Sequence, residues 1–102
     1  MSTSTLFSPF SLRGVTLRNR TVLAPMQMYA AREGMVQPWH HHHLAKYGHG
    51  GFAMVFTEAL AVEKRGRNTY GDMGVWSDDH VEGLRQLADT IRASGAVPAA
   101  QV

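Results

Sequence analysis

Apolar residues fall along this chain in two rhythms. Three short runs, at 21–24, 52–57 and 96–102, are apolar or β-branched at nearly every position. They lack the polar alternation of a half-exposed strand, so they predict strands covered on both faces, as parallel strands are. Helical signals lie between them. Pro38 suits the first turn of a helix, where its missing N–H is not needed, and predicts a helix over 38–47. Gly48, Gly50 and Gly51 then end it and give a tight entry to the second run. Further on, Val81, Leu84, Leu87, Ala88 and Ile91 recur with the helical period. Ser77 is the expected N-cap of that helix, with Asp78 and Asp79 at the positive end of its dipole, Arg92 in its last turn and Gly95 as its stop. Upstream, 11–13 and 15–17 alternate around Gly14 and predict a two-stranded hairpin. An extended, proline-broken segment at 6–10 precedes it, and Asn19 and Arg20 turn the chain into the first apolar run.

The order hairpin, β, α, β, α, β predicts an α/β fold whose parallel strands are joined by right-handed helical crossovers. An open sheet and a (β/α) barrel both satisfy it. A complete eight-unit barrel takes about 250 residues, so a chain of 102 residues supplies fewer than three units and leaves a barrel incomplete.

Candidate chemistry gathers at the end of the first strand. Pro25 stops the run abruptly, and Met26, Met28 and Tyr29 follow at once. In α/β architectures ligands sit at the carboxyl ends of parallel strands. Methionines are also ordinary core filler, and that reading stands beside the first. The segment 58–74 is long for a structureless connection, which argues for function. Within it Glu58 reads either as a general acid or base or as an anchor for loop amides. Arg65 and Arg67 read as phosphate or subunit contacts or as a solvated loop. Trp76 is expected to pack as a staple against Val81 or its neighbours.

Composition removes several classes. There is no cysteine, which excludes disulfides, thiol catalysis and Cys-based zinc. A formal charge of +2, with Arg13, Arg18 and Arg20 grouped but no basic helix, argues against nucleic acid. No apolar run is long enough for a signal peptide or a membrane span, so a cytoplasmic protein without membrane contact is the default expectation. In the run His40-His41-His42-His43, His40 and His43 share a helix face and could ligate zinc or nickel. No carboxylate lies near in sequence, and the expectation is no physiological metal site.

Taken together, Leu6-Phe7-Ser8-Pro9, Leu17-Arg18-Asn19-Arg20, Ala24-Pro25-Met26, Trp39-His40 with His43, Gly50-Gly51, Thr57-Glu58-Ala59, Val62, Gly66-Arg67, Gly74 to Asp78 and Gln101 resemble the opening of the Old Yellow Enzyme family. The likeness spans almost the whole chain in order and spacing. Pro25 to Tyr29 is most similar to the bacterial, xenobiotic-reductase-like branch. The resemblance implies an FMN-dependent NAD(P)H oxidoreductase on a TIM barrel, of which residues 1–102 are the N-terminal portion of a single domain. It implies that Ala24, Pro25, Met26 and Gln27 line the flavin ring, that Ala59 lies against it, and that Gln101 offers a bidentate amide to its pyrimidine edge. Tyr29 would contact the substrate, an activated alkene such as an α,β-unsaturated carbonyl. Relatives commonly carry Cys or Thr where Gln27 stands, a position that tunes flavin potential. The family's substrate-holding His-His or His-Asn pair, its catalytic tyrosine where present and most phosphate ligands are expected beyond residue 102. The isolated chain is therefore expected to bind FMN weakly or not at all, and its open strand edges favour association into oligomers. A non-catalytic barrel fragment and a His-based metal module are the alternatives from other classes.

Overall fold

The computed structural model describes residues 4–102. Arg13, at a left-handed φ of 52°, and Gly14 turn the chain back on itself. There β1 (Phe10–Leu12) pairs antiparallel with β2 (Val15–Leu17), as the alternation predicts. The three apolar runs form β3 (Val22–Leu23), β4 (Met54–Ala59) and β5 (Val97–Gln101). They make one parallel sheet in the order β3-β4-β5. Helices α1 (Pro38–His49) and α2 (Val81–Ala93) make the crossovers. Leu23, Leu44, Val55, Met73, Leu87 and Ile91 form the core between sheet and helices. Among the described residues no helix is long and apolar enough to cross a membrane.

Five expectations need correction. The strand predicted over 21–24 shrinks to two residues, and it is not covered on both faces: Leu23 is buried, whereas Val22 is 43% exposed. Only α1 and α2 cover the sheet, on one side, so the side carrying Val22 has no layer over it. β4 lies two residues later than the run 52–57 because Phe52 and Ala53 still belong to the turn. α1 runs past Gly48, which is buried in the helix; a Cβ there would collide with Ser94, so the glycine permits helix contact instead of ending the helix. The bend falls at Gly51, with a φ of 115°. The loop at 58–74 is not structureless, because a 3₁₀ turn at Lys64–Gly66 and a parallel bridge from Ala61 to Gly74 fold it. Finally, Val81 is 57% exposed, and Trp76 packs edge-on against His80 and over Gly34 and Gly74. Trp76 thus packs on Val81's neighbour His80 and not on Val81 itself, because a 3₁₀ turn (Asp78–His80) separates the cap from α2 and leaves Val81 exposed.

Both helices are entered the same way. The Gln37 N–H donates to His40 Nδ1 at 2.9 Å, and the Ser77 N–H donates to His80 Nδ1 at 3.3 Å. Each ring meets the tryptophan next to its cap, Trp39 and Trp76 respectively, edge-on. Ser77 Oγ also accepts the Asp79 N–H at 3.2 Å, as the sequence predicts of an N-cap. Ser77→Ala is expected to lower stability by about 1 kcal/mol in denaturant unfolding, with the slope unchanged.

Arg18 and Asn19 fasten the turn ahead of β4. The Arg18 guanidinium donates to the carbonyls of Gly48 (2.6 Å) and Phe52 (2.9 Å), and the Asn19 amide donates to Gly51 O at 2.8 Å. Asn19 Oδ1 in turn accepts from the Thr21 N–H and hydroxyl. One dipeptide thus sets the start of β3 against the start of β4.

Candidate functional site

The carboxyl ends of the three parallel strands are arranged by a bulge in β4. Phe56 lies opposite Ala99, but Ala59 lies opposite Gln101, so β4 spends three residues where β5 spends two. An extra residue interrupts the alternation of side chains and re-aims those beyond it. Here two successive side chains, Thr57 and Glu58, are both buried, at 7% and 4% exposure. Ala59 is thereby turned to the other side, next to Gln101, and the Leu60 N–H donates to Gln101 O at 2.9 Å to hold the two strand ends together.

A cleft of about 280 Å³ opens at this point, lined by Pro25, Gln27, Tyr29, Ala59, Asn68, Thr69 and Gln101. Five of the seven residues that the sequence proposes for the site meet here, one or more from each of the three strand ends. Ala24 and Met26 do not line the cleft; both are exposed beside it, because they alternate with Pro25 and Gln27 along an extended backbone. Met26 and Met28 are also not core filler, being 38% and 36% exposed. Asn68 and Thr69 escaped the sequence reading. The unusual length of their loop was the available signal.

Two backbone features shape the cleft. Tyr29 adopts φ 60°, a left-handed conformation that costs a non-glycine residue of order 1 kcal/mol and recurs at functional sites. Its ring is 62% exposed at the mouth. Behind it lies Gly71, where a Cβ would sit 2.4 Å from Tyr29 O and 2.6 Å from its carbonyl carbon. Gly71 O accepts the Ala31 N–H at 3.0 Å, so the 67–72 loop and the 26–31 segment are in direct backbone contact.

Asp72 organises the loop, accepting from the Asn68 N–H (2.7 Å) and the Thr69 hydroxyl (2.9 Å). Burial pushes its acidity the other way, but these hydrogen bonds, with a contribution from the Gln27 side chain, hold the carboxyl below its ordinary range. The loop-anchoring role that sequence allowed for Glu58 is shared: Glu58 holds the Met28 N–H, and Asp72 holds the 67–72 loop. Glu58 Oε2 also lies 3.8 Å from His40 Nε2, so the fold supplies His40 with a carboxylate neighbour that sequence distance hides. Burial raises Glu58 to about 7; the Met28 N–H opposes the shift and the Asp72 charge adds to it. Burial lowers His40 and His43. Among the described residues no group of three or more His, Cys, Asp or Glu could hold a metal ion.

Arg67 bridges this region to the surface, its guanidinium over the rings of Tyr70 and Trp76 and its Nε donating to Lys64 O at 2.9 Å. Arg65 pairs with Glu63 at 2.7 Å and Lys64 with Glu33 at 3.3 Å. A larger hollow of about 580 Å³ beside Lys64, Arg65 and Tyr70 shares the Asn68–Thr69 wall but reaches no strand end.

The cleft fits an FMN ring on chemical grounds internal to it. The Gln27 amide is shielded from water; it contributes to holding Asp72, but its Oε1 has no hydrogen-bond partner, a state that costs roughly 1–3 kcal/mol until one arrives. The Gln101 amide stands with it along the same cleft, and Ala59 leaves a small flat wall between.

Known proteins resemble this chain over nearly all of its length. The model of the NADH:flavin oxidoreductase / NADH oxidase family matches residues 5–102. The NADPH dehydrogenase of Geobacillus sp. (strain WCH70) is 44% identical over 93 residues, 89% of this chain and 27% of that protein. The NADPH dehydrogenase of Bacillus licheniformis is 42% identical over 104 residues, 100% of this chain and 31% of that protein. This chain thus spans less than a third of the length of these relatives. Among solved structures, a 2-naphthoyl-CoA reductase in complex with 2-naphthoyl-CoA matches with a TM-score of 0.92 at 27% identity, over 96% of this chain and 15% of that one. The old yellow enzyme homologue from Zymomonas mobilis matches with a TM-score of 0.83 at 22% identity, over 95% of this chain and 27% of that one, a likeness of fold. The hairpin, three parallel strands and two helices are consistent with part of a barrel.

Proposed function

Because this chain belongs to the NADH:flavin oxidoreductase / NADH oxidase family, we propose that residues 1–102 are the flavin-facing N-terminal portion of a single TIM-barrel domain, and that the whole enzyme reduces activated alkenes such as enones. FMN is the cofactor of the family, with NAD(P)H as its reductant. The chemistry that bound FMN would supply is hydride transfer between the nicotinamide and the substrate. The observation that carries the reading is the meeting of Gln27, Ala59 and Gln101 from three strand ends in one cleft.

The residues have distinct tasks in it. The Gln101 amide presents a donor and an acceptor side by side, matching the pyrimidine edge of the ring. The Gln27 amide supplies a second such pair, longer in reach than a thiol or hydroxyl, and so sets the electron demand of the ring. Pro25 brings backbone against the ring without offering an N–H. Ala59 adds no bulk and would leave room for the ring beside the strand end. Tyr29, exposed at the mouth, contacts the small-molecule substrate. Ala24 and Met26 act through their backbone, since their side chains stand outside the cleft.

The test is flavin affinity in the complete barrel carrying this segment. Gln101→Ala removes two hydrogen bonds and is expected to weaken FMN binding roughly tenfold, which corresponds to about 1.4 kcal/mol. Visible-absorbance titration reads it, and an unchanged dissociation constant refutes the assignment. A second reading, a piece that keeps the family's residues without its activity, rests on the unpaired edges of β3 and β5 among the described residues. On that reading the 102-residue chain binds FMN weakly or not at all and self-associates through those edges. A tight one-to-one flavin complex of the chain would exclude it.

A further inference from the structure

One buried carboxyl group has no task in the chemistry above, yet lies one residue from the cleft. The β4 bulge places Glu58 on the α1 side of the strand, back to back with Ala59. The groups around it are donors. His40 Nδ1 already accepts the Gln37 N–H at 2.9 Å, so the neutral ring carries its proton on Nε2. That Nε2–H lies 3.8 Å from Glu58 Oε2, beyond good hydrogen-bonding contact by somewhat under ~1 Å. Neither His40 Nε2 nor Glu58 Oε1 has a hydrogen-bond partner. The titratable groups that bear on this pair are His40 itself, His43 a turn along α1, whose charge acts on His40, and Asp72 from the 67–72 loop, whose charge acts on Glu58.

Two opposed forces therefore meet at one group. The Met28 N–H favours the carboxylate, while burial and the Asp72 charge favour the acid; the His40 Nε2–H, 3.8 Å away, favours the carboxylate once that contact closes. A shift of somewhat under ~1 Å that closes the His40 contact moves the balance towards the carboxylate. The connection to the cleft is through covalent neighbours: Met28 sits between Gln27 and Tyr29, both of which line it.

We propose that Glu58 is a positioning residue for the cleft: backed by His40, it holds an exchangeable proton at its carboxyl oxygens and transmits its charge state through the Met28 backbone to Gln27 and Tyr29. Its use in catalysis rests on the flavin reading of that cleft. With the proton on, the carboxyl releases the Met28 N–H; with the proton lost to solvent, the carboxylate draws it in and tightens the 26–29 segment.

The test starts without flavin, on the full 102-residue chain, by NMR. The Met28 amide, the Gln27 side-chain amide and the Tyr29 ring are expected to titrate together near neutral pH, with the midpoint of the Glu58 carboxyl. In Glu58→Gln, which keeps shape and acceptor but cannot ionise, that titration is expected to vanish. His40→Asn keeps an acceptor for the Gln37 N–H and removes the Nε2–H, and it is expected to move the midpoint to higher pH. Flat signals at 26–29 in the parent chain, a titration that survives Glu58→Gln, or an unmoved midpoint in His40→Asn overturns the proposal. In the complete barrel, the visible spectrum of bound FMN should shift over the same pH range, and should cease to do so in Glu58→Gln. A pH-independent spectrum in both overturns the link to the flavin. Failure of the complete barrel to load FMN at all, with the NMR titration intact, counts instead against the cofactor assignment.

Discussion

Raising the pH from about 5 to 8 is expected to destabilise the folded chain through Glu58, and Glu58→Gln should abolish that loss. The carboxyl titrates at about 7 when folded, against an ordinary value of 4.5. Its folded pKa is raised, so its contribution is fully present below the unfolded value and is lost as pH rises through the folded one. The difference corresponds to roughly 3 kcal/mol at about 1.4 kcal/mol per pKa unit. His40 and His43 work in the opposite sense. Burial depresses them, so their contribution is present above 6.5 and lost as pH falls through their folded values. Asp72, also depressed, adds a further loss on acidification, below its ordinary 3.8. The stability profile should thus rise from acid pH, pass a maximum and fall towards pH 8. In Glu58→Gln only the acid limb should remain, leaving the variant more stable than the parent chain at pH 8. Denaturant midpoints across this range decide it; parallel profiles for the two proteins would show that Glu58 is not buried as an acid.

Gly71→Ala carries the other large effect. The added Cβ would meet Tyr29 O, C and Cα at 2.4, 2.6 and 2.8 Å. All three are backbone atoms, so no side-chain rotation relieves the clash. Nor can the loop simply withdraw, because Gly71 O holds the Ala31 N–H and Asp72 holds Asn68 and Thr69. Overpacking of this kind costs about 1–3 kcal/mol and sometimes more. It should also displace Tyr29, Asn68 and Thr69, and with them the mouth of the cleft. Unfolding curves and the Tyr29 ring signals measure both consequences. A stability change within about 0.5 kcal/mol, typical of an unremarkable surface site, would show that the two segments are not in contact.

Contrasts between particular residues show where sequence reasoning worked. The helix of Leu87 and Ile91 was legible because burial repeats at the helical period and Ser77 caps locally. The hairpin was legible because Gly14 and its flanking alternation are contained in eight residues, β1 to β2. Val81 misled because the 3₁₀ turn before it shifts the phase of the helix, and periodicity does not report a phase shift. Gly48 misled because a glycine required for close contact with Ser94 looks, in sequence, like one that stops a helix.

By itself, then, the sequence determined what local chemistry and spacing can determine: the order of strands and helices, the abrupt strand end at Pro25, and the set of family residues from Leu6 to Gln101. These depend on interactions between near neighbours or on motifs read one residue at a time. Only the tertiary structure decided which of those residues face one another. The bulge that parts Ala59 from Glu58 depends on register between two strands separated by a helix. The same register brings Gln101 to the cleft and Glu58 to His40, eighteen positions earlier in the chain. Gly71 against Tyr29 is a contact of backbones, to which no side-chain pattern corresponds. Proximity across the fold is set by packing and strand register, and those are properties of the assembled chain, not of any window within it.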